Sequence, residues 1–152
     1  MRNSSLASPS GLASLSLVAP DPAPAYERFE LPNLFQIADW SDRIAWRPFQ
    51  DGVDICRLHG DGRTGPTTAL IRFRQASKIP LHQHTGAEHI LILAGSQRDQ
   101  NTSAAAGTLM INPAGSAHSV VGEAGCIVLA IYERPVEFLQ DAPYGALVAA
   151  SA

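Results

Sequence analysis

Lysine is almost missing from this chain: of its 11 basic residues only Lys78 is a lysine, and the arginines are scattered rather than massed. With a net charge of −3 and an isoelectric point near 5.9, there is no basic face of the kind that nucleic acid demands. Charge of either sign is sparse, at 16% of residues against the usual quarter. So lightly charged a surface points to a buried partner face, and a homodimer is expected. No apolar run approaches the roughly 20 residues needed to cross a bilayer, so no membrane span is expected. There are 2 cysteines, Cys56 and Cys126, far apart and in no CxxC pair. Between a disulfide and two buried thiols in a reducing, cytoplasmic setting, the thiols are expected.

What is present is one domain's worth of chain, 152 residues with 45% apolar content. The first 25 residues read as a Ser/Pro/Ala-rich tail. Their apolar stretch is broken repeatedly by serine and followed by Pro20, Pro22 and Pro24, whereas a secretory signal needs an uninterrupted apolar centre. A single domain is expected over 26–140, with a second tail over 141–152. Leu34 to Trp46 has no settled period. From Gly52 onward the pattern is that of strands. Val53 to Leu58 alternates, Gly60 to Pro66 is dense in turn residues, and Thr67 to Arg74 sets Ala69, Ile71 and Phe73 against Leu70, Arg72 and Arg74. Further short strands are expected over 78–84, 88–94, 107–112, 118–121 and 126–132, with Pro135 to Leu139 packing back as a short helical turn. Short strands without a long amphipathic helix mean an all-β sandwich or barrel.

Three of the 5 histidines fall into a pattern with a glutamate. His82 and His84 are two apart, so in an extended chain both imidazoles point to one side. After the small segment Thr85-Gly86-Ala87, Glu88 opens an apolar strand and can face the same interior. Downstream, Pro113-Ala-Gly115 makes a turn from which His118 begins the next strand and can reach the same point. Imidazoles and a carboxylate are a suitable set for a divalent transition metal.

These two segments resemble the paired motifs of the cupin superfamily, G(x)5HxH(x)3-4E(x)6G and G(x)5PxG(x)2H(x)3N. His82, His84, Glu88 and Gly95 match the first; Gly107, Pro113, Gly115 and His118 match the second. Two positions depart: Ala76 stands for the opening Gly and Gly122 for the final Asn. The resemblance implies a small double-stranded β-helix, a jelly-roll-like barrel, holding one divalent transition metal ion (Zn, Fe, Mn or Ni) on His82, His84, Glu88 and His118. The wording of Glu88 to Gln97 and of Asn112 to His118 is most similar to the ChrR-type branch. That branch includes the zinc-binding cupin domain of certain anti-sigma factors and stand-alone cupins similar to small dioxygenases of diketone-like compounds.

Two functions follow as expectations. One is a metal-dependent dioxygenase of a small enolisable or dicarbonyl compound, with no separate general base identifiable. The other is a non-catalytic metal-binding sensor or regulatory module. The sigma-binding half of ChrR-type factors carries its own His/Cys zinc site, and here no Cys precedes Cys56 and no His precedes His59. A stand-alone cupin with a small-molecule ligand is therefore expected. His59 and His89 read as exposed bystanders, Arg72 and Arg74 as a solvated sheet face, and Trp40, Trp46 and Phe49 as core or subunit-contact residues. Tyr132 is open between pocket lining and core.

Overall fold

Alternating side chains with glycine-bearing turns between them build almost every element of this chain. The computed structural model describes residues 28–139; the tails expected over 1–25 and 141–152 lie outside the described residues. Eleven strands follow two 3-10 turns, Ile37–Asp39 and Ser41–Arg43. They are β1 (Arg47–Gln50), β2 (Val53–His59), β3 (Thr67–Phe73), β4 (Ser77–Gln83), β5 (Glu88–Ala94), β6 (Ser96–Arg98), β7 (Ser103–Ala105), β8 (Leu109–Asn112), β9 (Ala117–Gly122), β10 (Ile127–Tyr132) and β11 (Glu137–Phe138). All pairings are antiparallel, in a six-stranded sheet ordered β1-β2-β3-β10-β5-β8 and a five-stranded sheet ordered β11-β4-β9-β6-β7. Among the described residues no helix is long and apolar enough to cross a membrane.

The main core lies between the sheets, where Val53, Phe73, Ile90, Ile92, Val120 and Val128 bury their side chains. Removing that apolar surface from water is what closes the two sheets on each other. A second cluster sits outside the six-stranded sheet: Leu70, Leu93 and Ile127 are capped by Trp40, with Leu34, Ile37, Ile44 and Trp46 packed around them. The unsettled period of the segment from Leu34 to Trp46 therefore belongs to a cap of tight turns. The expected opposition within β3 holds, with Ile71 and Phe73 facing inward and Leu70 outward. Arg72 and Arg74 also face outward. Both pair with the buried Asp54 carboxylate, at 2.7 and 3.1 Å, and the Arg72 guanidinium lies 4.4 Å over the Trp46 ring.

Four details differ from the sequence reading. The segment at 137–138 is a strand paired with β4, not a helical turn, because the open edge of β4 offers it backbone partners. The stretch between Gly95 and Gly107 carries a hairpin, β6–β7, too short for an alternation pattern to register. Cys126 is buried but Cys56 only half-buried, and both are free thiols. Phe49 packs against the main core, as expected, but also forms part of a cavity wall.

The departure at Gly122 has a steric explanation. This glycine lies flat on the Phe73 ring, where any Cβ would overlap ring carbons. A bulky interior Phe73 thus excludes the Asn of the general motif. Gly95, at φ +66°, turns the chain from one sheet into the other, and a Cβ there would stand 2.9 Å from Cys126 Cα.

Candidate metal centre

His82 and His118 sit directly opposite each other on the paired strands β4 and β9. The register of that pair slips between Ile79 and His82, around Pro80, which has no N–H to give the ladder. His84 lies just past the end of β4. Its backbone is tied across to the Pro113–Ser116 turn, with its N–H donating to Ser116 O at 2.8 Å and its own carbonyl accepting from Gly115 at 2.7 Å. Glu88 opens β5 in the other sheet, so the site spans both layers. All four side chains are buried.

The three imidazoles converge. One nitrogen from each of His82, His84 and His118 lies within 4.8 Å of the others, close enough for the three to hold a metal ion. Ring centroids are 4.9 to 5.2 Å apart and the planes are steeply inclined, as rings aimed at a common point must be. Glu88 stands beside them, with Oε2 2.9 Å from His84 Nε2.

The outer nitrogens fix which atoms face inward. His82 Nδ1 is 2.8 Å from the Pro80 carbonyl, which only accepts, so Nδ1 carries the proton. Ser116 Oγ donates to Pro113 O at 2.7 Å, so at 2.9 Å from His84 Nδ1 it accepts there as well, alongside Ser116 O at 3.1 Å. His118 Nδ1 is 3.1 Å from Asp99 Oδ2. Partial burial pushes the Asp99 carboxyl up, but the backbone N–H groups of Asn101 and Thr102, with His118, outweigh that and hold it below the usual range. An ionised Asp99 can only accept. Each imidazole is thus held with Nδ1–H facing outward, so that in its neutral form the lone pair lies on the inward Nε2.

The consequence is sharpest at His84. Its Nε2 is buried with no hydrogen-bond partner despite the carboxylate oxygen 2.9 Å away. At that separation, out of water, the two atoms need a positive charge to share, which either a proton on Nε2 or a metal ion supplies. The residues therefore fit a divalent ion. Burial also pushes the Glu88 carboxyl up, but neighbouring His84, Asn112 and His82 hold it below the ordinary value, so it stays an anion. Asn112 donates to Glu88 Oε2 at 2.9 Å. Burial drives His82 down to about 4, with His118 adding to the effect and the Pro80 carbonyl opposing it.

The cluster borders a cavity of about 150 Å³, lined by His82, Glu88 and His118 at one side and by apolar residues such as Phe49, Ile71, Phe73 and Ile90 elsewhere. Tyr132 lines it and also packs against the main core, so both alternatives left open by the sequence hold. His59 and His89 are exposed and away from the cluster. Asp99, Asn112 and Ser116 were not legible as site residues, since each reaches its histidine or glutamate only through strand pairing. The sole hint was that Asn112 and Ser116 flank the Pro-x-Gly turn.

Two antiparallel sheets closed around an inward-facing histidine cluster make this a cupin. More particularly, the chain belongs to the ChrR cupin-like domain family, which it matches over residues 36–136. It is 32% identical over 133 residues to the anti-sigma-E factor ChrR of Cereibacter sphaeroides, an alignment covering 84% of this chain and 61% of that protein. The chain thus spans less than two thirds of that relative's length. The structure of Rhodobacter sphaeroides SigE in complex with the anti-sigma ChrR superposes with a TM-score of 0.52 at 29% identity, over 59% of this chain and 49% of that one. An acetylacetone dioxygenase from Acinetobacter johnsonii superposes with a TM-score of 0.60 over 85% and 95% of the two chains, at 16% identity, a likeness of fold alone.

Three outcomes are expected. Elemental analysis of His118→Ala should find most bound metal lost. Asp99→Asn should bind metal about 10- to 100-fold more weakly while the fold stays intact by circular dichroism; unchanged affinity would show that Asp99 has no part in orienting His118. Because His82 titrates near 4 when folded and near 6.5 when unfolded, the unfolded chain binds more protons between those values. Its contribution to stability is complete above about pH 6.5 and is lost as pH falls through about 4. Denaturant melts of chelator-treated protein should show this loss, and His82→Gln should flatten it.

Proposed function

We propose that this chain holds one divalent transition metal ion on His82, His84, Glu88 and His118 and is a dioxygenase of a small enolisable or dicarbonyl compound. The observation that carries this reading is that His82, Glu88 and His118 open onto an apolar-walled cavity, whereas a purely structural metal site is closed by its own ligands. When bound, such an ion supplies Lewis acidity and open coordination positions for a chelating substrate. The chain's own groups do the rest. Pro80, Ser116, Asp99 and Asn112 hold the ligating side chains in orientation. Phe49, Ile71, Phe73 and Ile90 exclude water from the substrate's hydrocarbon part. Burial keeps the Tyr132 phenol protonated, so its O–H is available to donate to a substrate oxygen. The fold shared with an acetylacetone dioxygenase supports the reading by analogy.

A second reading, a non-catalytic metal sensor or regulatory module with a protein partner, is favoured by the relationship to anti-sigma-E factor ChrR. The free thiols Cys56 and Cys126 accord with a cytoplasmic protein under either reading, and the cupin domain is taken to run over 26–140. We also propose a homodimer. Leu109 and Ile111 on the edge strand β8 are 59% and 60% exposed, and Ile131 is 44% exposed in the row shared by Ile111 and His89. An apolar outer face at an open sheet edge is suited to meeting its own copy.

Iron(II)-loaded protein should consume dioxygen when given 2,4-pentanedione or a related dicarbonyl compound. If it shows neither dioxygen uptake nor a ligand-induced spectral change across such compounds, the enzyme reading falls and the sensor reading replaces it. Sedimentation should report a dimer, shifted toward monomer by Ile111→Glu; a wild-type monomer at micromolar concentration would refute the dimer.

A further inference from the structure

Beyond the metal ligands, one charged side chain lines the cavity: Arg57 of β2. Strand alternation sends Ile55 and Arg57 into the barrel, while Leu58 joins the outer cluster under Trp40. The register between β2 and β3 slips between Arg57 and His59, which brings Arg57 alongside the inward-facing end of β3. There a polar row crosses the floor of the six-stranded sheet. Glu88 pairs with Tyr132, and Tyr132 with Thr67. The Tyr132 phenol, raised by burial, has the Thr67 hydroxyl and the Arg57 guanidinium as neighbours pulling it the other way. Gly62 closes over the guanidinium so tightly that a Cβ there would stand 2.5 Å from Arg57 Nε.

This arginine has no anion of its own. Among the described residues it forms no ion pair, and the nearby Asp54 is taken by Arg72 and Arg74. Its Nε is buried without a hydrogen-bond partner. Elsewhere a buried cation next to apolar walls costs stability unless an anion meets it. A planar guanidinium is the group suited to gripping a carboxylate through two parallel hydrogen bonds. The cavity, at about 150 Å³, is of the size that takes up a benzene-sized molecule.

We propose that Arg57, with the Tyr132 hydroxyl beside it, is the anion-binding end of this cavity, so that its ligand is a short-chain oxo acid. The carboxylate meets Arg57, the hydrocarbon part lies against Phe49, Ile71 and Phe73, and the oxo group points to the histidine cluster. The orientation of the oxo group rests on the metal reading above; the grip of Arg57 on the carboxylate does not. A neutral diketone fills the same space but leaves the guanidinium unpaired, so acids are preferred over neutral analogues.

The test is titration calorimetry with 2-oxopentanoate and its methyl ester, on zinc-loaded and on chelator-stripped protein, with metal content measured alongside. The wild-type protein should bind the acid about tenfold or more tightly than the ester in both forms, the factor that one charge-assisted contact is worth. Arg57→Gln should lose that preference while keeping its zinc, and Arg57→Lys, which retains charge without the planar fork, should keep part of it. Equal binding of acid and ester by the stripped wild type overturns the inference, as does an undiminished preference in both variants. Either result with zinc retained leaves the metal site standing. Conversely, an Arg57-dependent preference in protein that binds no zinc supports the inference and removes the metal reading alone.

Discussion

The close approach of His84 Nε2 to Glu88 Oε2, 2.9 Å in a buried site, is the constraint on which the rest of the centre depends. Two electron-rich atoms do not stay that near in a low dielectric without a positive charge to share. Pro80, Ser116 and Asp99 engage the outer nitrogen of each imidazole, so the rings are held with Nε2 turned towards the common point. Folding thus brings side chains from both sheets to one point, and a metal ion held there would tie those sheets together.

The two layers have unequal duties. The five-stranded sheet and its exit turn supply all three histidines, held by the direct pairing of His82 with His118. The six-stranded sheet supplies Glu88 and, along the same floor, Tyr132, Thr67 and Arg57. The imidazoles and the remaining polar groups of the cavity thus come from opposite walls, with apolar residues filling the depth between them. The relationship to an anti-sigma factor and the fold shared with a dioxygenase are compatible on one scaffold, because function in this architecture resides in the cavity lining rather than in the strands.

Outside the barrel the protein spends its few charges on structure. Asp54 holds Arg72 and Arg74 on the outer face, and Trp46 lies beneath Arg72, so the cap of tight turns is fastened to the six-stranded sheet. That explains why Arg72 and Arg74 cannot serve the cavity while Arg57, one strand away and on the opposite parity, can. The difference between an arginine that staples and one that lines the cavity is here a matter of which face of a strand it occupies.

Much of this was legible along the chain. The spacing of His82, His84 and Glu88, and of Pro113, Gly115 and His118, is a local property that survives in one dimension, because strand alternation and turn geometry act over a few residues. So were the alternation of β2 and β3 and the outward placement of His89. What could not be read were relations between distant segments. Asp99 meets His118, Asn112 meets Glu88, and Arg57 comes beside Tyr132 only because strands far apart in sequence are neighbours, with bulges that no pattern of side chains announces. The motif spacing determined by itself which residues would gather at one end of a barrel. Only the tertiary structure decided how each imidazole is turned and which charge faces the cavity, since both depend on hydrogen bonds and burial that exist once the sheets have closed.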